Sequence, residues 1–420
     1  MSDVIIIGGG PAGAAMGSYL SMAGISNTIF EGSHFPREHV GESLVTSTTR
    51  VLGDINFLET MEREGFTHKY GASWHPPTGN EFSVVFKEFP QEGIHQDYTY
   101  HVERSKFDHL LLQHAEKLGS KVYQGVPVKQ VLFEGEQAVG VRVNLDGQDT
   151  DFPCKVVVDA SGRGTLLGRQ LNLKKKDPIF DQYAIHAWFE GVDRGTGPSH
   201  EYIHIYFLPV ERGWVWQIPI NDRVTSIGVV IEKEVFKQSK ADLSEFFNKH
   251  TMMNPDLARA IKNARRINEF KREGDYSYSM DKFVGDGYVI IGDAARFVDP
   301  IFSSGISIAL YSAKFASEHI IKALETGDFS AVAFEPYETR LRGGVQVWYE
   351  FIRLYYKLLP LFTHFIQSKT HREQVHRLLQ GEVFDREEVP VLQAMRDYIQ
   401  KVEETDSHIF KQHLSSIPLD

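Results

Sequence analysis

Val4–Ile7 is a short β-branched run; glycines follow at once, then apolar residues at helical spacing from Ala12 to Ala23, then a second apolar run at Asn27–Glu31. Strand, turn, helix and strand in that order predict a βαβ unit at the start of the chain. Residues 74–103 mix strand-like runs with Gly and Pro and predict an excursion from that core. Phe107–Leu118 has helical spacing, Lys121–Val143 alternates as strands, and Val156–Ala160 reads as a buried strand ending at the turn Ser161–Gly164. From Tyr183 to Ile231 the alternation is long and rich in β-branched and aromatic residues, which predicts a second, largely antiparallel sheet. Gly287–Gly292 returns to a buried strand, and from about Ser303 the pattern is helical. The expected organisation is α/β: a discontinuous nucleotide-binding domain over 1–345, with a substrate-side sheet inserted at about 74–103 and 180–275, and a C-terminal helical region over 346–420.

Composition narrows the function classes. The 420 residues, 42% hydrophobic and 12% aromatic, suffice for two or three packed layers. A formal net charge of −11 argues against a nucleic-acid binder, whose domain would be basic. Cys154 is the single cysteine, so no intramolecular disulfide forms and a reducing, cytoplasmic setting is expected. At the edge of the apolar run Val156–Val158 it reads as an inert thiol. The N-terminus enters a strand without a basic segment or cleavage site, so no signal peptide is expected. Trp348–Gln367 is apolar, but Glu350, Arg353, Lys357 and Pro360 exclude a membrane span. It reads as a buried helix or helix pair, with an apolar partner groove as the alternative.

Candidate chemistry begins at Gly8, Gly10 and Gly13, which spell G-x-G-x-x-G around Ala12. The first glycine makes the tight turn, the second lets backbone approach a pyrophosphate, and the third lets helix pack on strand. The helix N-terminus then favours the anion. Glu31, ending the next strand, stands where a ribose-binding acid belongs. A glycine-rich structural turn is the bland alternative. Farther on, Gly292-Asp-Ala-Ala295 follows the apolar run Tyr288–Ile291. This segment, with Asp293, resembles the glycine–aspartate motif of FAD-dependent monooxygenases and halogenases. Val157–Gly162 and Arg104, within Val102–Asp108, resemble other flavin-contacting segments of that superfamily. The resemblance implies FAD, and a fold of the flavin monooxygenase/halogenase type.

Three further segments separate halogenase from hydroxylase. Trp214-Val-Trp-Gln-Ile-Pro219 resembles the W-x-W-x-I-P signature of flavin-dependent halogenases. Phe297, Pro300, Ser303 and Gly305 match their F-x-x-P-x-x-S-x-G pattern, and Phe35–Ser43 followed by Lys69 resembles the segment carrying their active-site lysine. The resemblance spans nearly the whole chain. On periodicity alone Trp214 and Trp216 are same-face packing residues, Ser303–Gly305 a helix start and Lys69 a surface lysine. The resemblance implies that Arg37, His39, Ser43, Pro300, Gly305 and Ile306 join the cofactor site. It gives the backbone amides of Ser304 and Gly305, at a helix N-terminus, the task of holding chloride. Trp214, Trp216 and Pro219 would keep bulky substrate from the flavin, with Phe297 and Ser303 in the same active-site motif. Reduced FAD, oxygen and chloride then yield hypochlorous acid. Lys69 receives it either as an ammonium that hydrogen-bonds it or as a neutral amine that becomes a chloramine; the second route needs a lowered pKa, which burial supplies.

Glu42–Val45, Ile185–Phe189 and Asp299–Leu310 most resemble members acting on a pyrrolyl group tethered to a carrier protein, while Thr46 and a short stretch around 75–97 depart from that pattern. The implied partners are an acyl or peptidyl carrier protein bearing a pyrrolyl thioester and, since one dinucleotide fingerprint is visible, a separate NAD(P)H-dependent flavin reductase. No nucleic-acid or membrane partner is expected, and bromide is an alternative halide. Arg340, Arg342, Arg353, Lys357, Arg372 and Arg377 read as a docking face for an acidic carrier or as an ordinary solvated helix face. His200-Glu-Tyr-Ile-His204 spells H-E-x-x-H, but on an alternating strand the two histidines stand roughly 13 Å apart, so no metal is expected on them. Lys174–Lys176 reads as a solvated loop cluster. Competing functions are a flavin-dependent aromatic hydroxylase, a halogenase of a free phenolic or other aromatic, a geranylgeranyl-type flavin reductase, and an FAD-binding protein without catalysis.

Overall fold

The computed structural model describes residues 2–76, 81–274, 277–384, 389–405 and 408–419. Residues 77–80 and 275 of the expected inserted sheet, and 385–388, 406–407 and 420 of the expected tail, lie outside them. The chain opens with β1 (Val4–Ile7), α1 (Pro11–Met22) and β2 (Asn27–Glu31), the predicted βαβ unit. β3 (Thr67–Lys69), β4 (Gly71–His75), β5 (Phe82–Val85), β6 (Thr99–His101), α2 (Arg104–Leu118), β7 (Lys121–Gln124) and β8 (Val156–Asp159) follow. Then come β9 (Gln182–Glu190), β10 (Ile203–Phe207), β11 (Trp214–Pro219), β12 (Val224–Glu232), β13 (Tyr288–Ile290), α3 (Ser304–Thr326) and α4 (Ala331–Leu358).

β13, β8, β1, β2 and β7 lie side by side and parallel, with Val284–Gly285 antiparallel at the β13 edge. α1 packs against both α2 and α3, and the antiparallel sheet spanning Val128–Pro153 lies against β8. Covered in this way, β1 and β8 are buried at every position, which is why they read as unbroken Val/Ile runs rather than alternating ones.

The second sheet runs Arg265–Arg266, β9, β12, β11, β10, β4, β5, with Lys271–Gly274 also beside β9. Of the excursion expected near 74–103, β5 and the end of β4 lie at this sheet's far edge, whereas β6 pairs with β3 outside it. Period two divides its faces. Ile203, Ile205, Trp214, Trp216 and Ile218 join the main core, whereas Val215, Ile227, Val229 and Tyr206 form a separate core with Phe246, Phe247 and Leu257.

Two expectations change. The boundary placed between 345 and 346 falls inside α4, whose Leu341, Val345, Trp348, Phe351 and Tyr355 are all buried in the main core. The tail is therefore packed into that core, and Trp348–Gln367 forms the end of α4 and the short buried helix Phe362–Gln367. Lys174–Lys176 is an exposed strand paired with Tyr278–Met280, not a loop; its long side chains reach Asp281 and Asp181 and leave the backbone free to pair. No described helix is long and apolar enough to cross a membrane.

Candidate active site

The turn between β1 and α1 is shaped for glycine. Gly8 has φ +103°, and a Cβ there would stand 2.5 Å from the Ala160 carbonyl oxygen; a Cβ on Gly13 would stand 1.9 Å from that of Gly8. Glu31 is 7% exposed, and its two carboxylate oxygens accept the Gly9 and Ser33 amides at 2.7 and 2.8 Å. Each oxygen keeps a second acceptor site. The turn opens on a cavity of about 570 Å³. Gly8, Gly10, Ala12, Glu31, Arg37, His39, Ser43, Arg104, Asp293, Pro300, Gly305 and Ile306 all line it. Gly13 alone of the expected cofactor residues does not, because its part is the helix–turn contact.

Arg104 is held rigidly: Nε and Nη2 donate to Asp108 at 2.7 and 2.9 Å, and Nη1 to the Val40 carbonyl at 2.6 Å. Its charge, with burial, pushes the His39 imidazole down to about 4, so that ring is neutral at pH 7. Burial raises the Asp293 carboxyl to about 6. An acid with free acceptor sites, the N-terminus of α1 uncapped by any side chain, Arg37 beside Gly10 and the cavity's size together fit a flavin dinucleotide.

On the other side of the cavity α3 begins. Ser303, at φ +57°, is its N-cap and makes no side-chain cap, so the first-turn amides of this 23-residue helix have no intrahelical partner. A Cβ on Gly305 would meet nothing within 4 Å, and the buried Ser304 hydroxyl has no hydrogen-bond partner among the described residues. The dipole and free donors suit a small anion. Trp214 and Trp216, with ring centroids 6.0 Å apart, line the cavity with Ile218 and Phe297. Pro219 does not: one residue after Ile218, it points to the opposite face of β11, and Ile218 lines the cavity in its place.

A connection absent from the sequence reading ties this region together. The Trp214 indole N–H donates to the Tyr356 hydroxyl at 2.8 Å, and Tyr356 donates to Asp299 at 3.0 Å. The same Asp299 oxygen accepts the Ile301 amide, the other is buried without a partner among the described residues, and burial raises the carboxyl to about 7. Asp299 lies inside the F-x-x-P-x-x-S-x-G segment; Tyr356, on α4, carries no sequence signal.

Lys69 is not a surface lysine. It is 3% exposed, its ammonium donates to the Leu44 carbonyl at 2.7 Å, and burial lowers it to about 7. It lines a second cavity of about 20 Å³ with Trp74, Phe86, Ile205, Phe302 and Leu379. Ile203 and Ser303 line both cavities, so the two share a wall. Elsewhere, Cys154 is half-buried and burial pushes its thiol up to about 12, matching an inert role. The six basic residues do not form a free face. Arg340 pairs with Glu318, Arg342 with Glu338, Lys357 with Glu403, Arg372 with Glu88, and Arg377 with Glu373 and Glu382, while Arg353 donates to the Pro418 carbonyl.

The family model described as tryptophan halogenase matches residues 3–95 and 78–380. A 1H-pyrrole-2-carbonyl-[peptidyl-carrier protein] chlorinase from Pseudomonas fluorescens is 45% identical over 434 residues, covering 99% of this chain and 97% of that protein. A 1H-pyrrole-2-carbonyl-[peptidyl-carrier protein] brominase from Pseudoalteromonas luteoviolacea is 34% identical over 92% of this chain and 93% of its own. The structure of the flavin-dependent brominase Bmp2 superposes with a TM-score of 0.87 at 32% identity, covering 96% of this chain and 99% of that one.

Proposed function

Because the chain belongs to the tryptophan-halogenase family of flavin-dependent halogenases, we propose that it chlorinates a pyrrolyl group carried as a thioester on a peptidyl or acyl carrier protein. Bromide serves as a second halide, and a separate NAD(P)H-dependent reductase delivers reduced flavin. Gly8, Gly10, Glu31 and Arg37 hold the dinucleotide, with Ala12, His39, Ser43, Arg104, Asp293, Pro300 and Ile306 completing the cavity around it. Reduced FAD, when bound, supplies two electrons that with oxygen and chloride yield hypochlorous acid and water. The Ser304 and Gly305 amides hold the chloride. Trp214, Trp216 and Ile218 fill the wall that keeps a tethered ring out of this cavity.

The observation carrying this reading is the buried Lys69 amine in a separate small cavity that shares Ser303 and Ile203 with the large one. With its ammonium lowered to about 7, a large fraction is neutral amine at neutral pH. The Nζ lone pair attacks the chlorine of hypochlorous acid: an N–Cl bond forms, the Cl–O bond breaks, and hydroxide leaves with an amine proton as water. The pyrrole carbon then takes the chlorine, and the ring proton restores the N–H. The test supplies reduced FAD, oxygen, chloride and pyrrolyl-loaded carrier protein, and reads the ejected acyl group by mass spectrometry. A chlorine isotope pattern is expected, absent in Lys69→Ala while flavin reoxidation continues. Added oxygen without chlorine would move the enzyme to the hydroxylases, and loss of flavin reoxidation in Lys69→Ala would remove the lysine from this role.

A further inference from the structure

His75 ends β4 and His204 lies in β10, neighbours whose register sets Ser73 against His204 and Tyr206 against His75. Trp74, Ile203 and Ile205 turn towards the cavities, so period two turns both histidines to the opposite face, away from the halogenation site. The chemistry above uses neither. Both are nevertheless buried, at 7% and 6% exposure, with His75 Nε2 2.8 Å from His204 Nδ1. His204 Nε2 lies 2.9 Å from the Ser199 carbonyl. A carbonyl only accepts, so Nε2 of His204 carries the proton and its Nδ1 lone pair faces His75. His75 Nδ1 is 3.9 Å from Oε2 of the exposed Glu81. Tyr206 stacks on His75 at 4.3 Å, and Asn254 donates to the His75 carbonyl, which fixes the ring's place.

We infer that His75, Glu81 and His204 form a binding site for one divalent transition-metal ion of the zinc type. One ligating atom from each residue lies within 4.8 Å of the other two. Two imidazoles and a carboxylate, with water in the fourth position, are a donor set suited to zinc. Zinc–nitrogen bonds of about 2.0–2.1 Å place tetrahedral nitrogens roughly 3.3 Å apart, so the two rings part by about 0.5 Å to admit the ion. The proton on Nε2 of His75 shifts to its Nδ1 as the ion enters, so no net proton leaves the pair. Ser199 already holds the other nitrogen of His204, as backbone carbonyls do for metal-bound imidazoles. β4 and β10 are the parallel neighbours in a sheet whose other described neighbours are antiparallel, and their opposite face walls the Lys69 cavity. The ion clamps that seam and takes no part in chlorine transfer. His200 is not a ligand: it lies in the 3₁₀ turn Pro198–Glu201, with Nδ1 on the Gly197 carbonyl.

The test uses the full chain loaded with FAD, free of affinity-tag histidines, stripped with chelator and titrated with ZnCl2 by calorimetry. One zinc per chain is expected, with a rise in Tm, and Co²⁺ in its place should give the visible absorption of a four-coordinate site. His75→Gln and His204→Gln should abolish stoichiometric binding. Glu81→Gln, exposed and therefore safe for folding, should weaken it roughly 10–100-fold. His200→Gln should leave it unchanged. No stoichiometric zinc on the wild-type chain, or binding indifferent to Glu81→Gln and His204→Gln, overturns the inference.

Discussion

Replacing Lys69 with methionine should stabilise the fold while ending the reaction. The side chain is 3% exposed and burial lowers its ammonium to about 7, against 10.5 in the unfolded chain. Between those values the unfolded chain binds a proton that the folded chain does not, so stability rises with pH across that window. At pH 7 and below the penalty for burying the amine is close to full. The gap corresponds to about 4–5 kcal/mol. Methionine keeps the length in the cavity lined by Phe86 and Trp74, but leaves the Leu44 carbonyl without its donor, which costs about 1–3 kcal/mol. The net gain at pH 7 is about 1–4 kcal/mol. Unfolding a chain of this size carries an entropy of about 0.9 kcal/mol/K, so Tm should rise by about 1–4 °C. Thermal melts of both proteins from pH 6 to 10 check this. The advantage of Lys69→Met should be greatest and flat up to pH 7, shrink above it, and reverse between about pH 8 and 10, where the orphaned carbonyl outweighs what is left of the penalty. A variant less stable than wild type by the same margin at every pH would refute the buried-amine argument.

Three other perturbations probe separate parts of the site. Glu31→Ala removes the acceptor of the Gly9 and Ser33 amides as well as the acid proposed to hold the ribose, and FAD affinity should fall about 10–100-fold, read by flavin fluorescence quenching. Tyr356→Phe leaves the Trp214 indole N–H and an Asp299 oxygen each short of a partner; the urea midpoint should drop by the equivalent of about 2–4 kcal/mol, and an unchanged midpoint would dismiss the bridge. Single-turnover chlorination should rise as pH increases through about 7, because the nucleophile proposed above is the neutral form of Lys69; a fall over that range would favour the ammonium as a hydrogen-bond donor instead.

What the sequence disclosed about the site follows a physical line. A side chain's face follows from the period of its own strand, and a turn's geometry follows from residues within it. The Gly8–Gly13 turn, Glu31 at the end of β2 and the shared face of Trp214 and Trp216 were therefore legible locally. Pro219 was misplaced because a motif counts spacing and not faces. A side chain's partner across the fold follows from topology, which no local pattern carries. Lysine at 69 looks like any surface lysine until β4, β10 and Leu379, from the far end of the chain, close over it. Arg372 and Lys357 looked free until Glu88 and Glu403 came to meet them. β10 shows both halves of the rule in four residues. Alternation sent Ile203 and Ile205 to the cavities, but His200 lies in the 3₁₀ turn Pro198–Glu201 ahead of β10 and not on the strand expected for it, and the true neighbour of His204 is His75, 129 positions earlier. The parallel pairing of β10 with β4 makes them adjacent, and that pairing depends on how the inserted sheet closes, not on any residue between them.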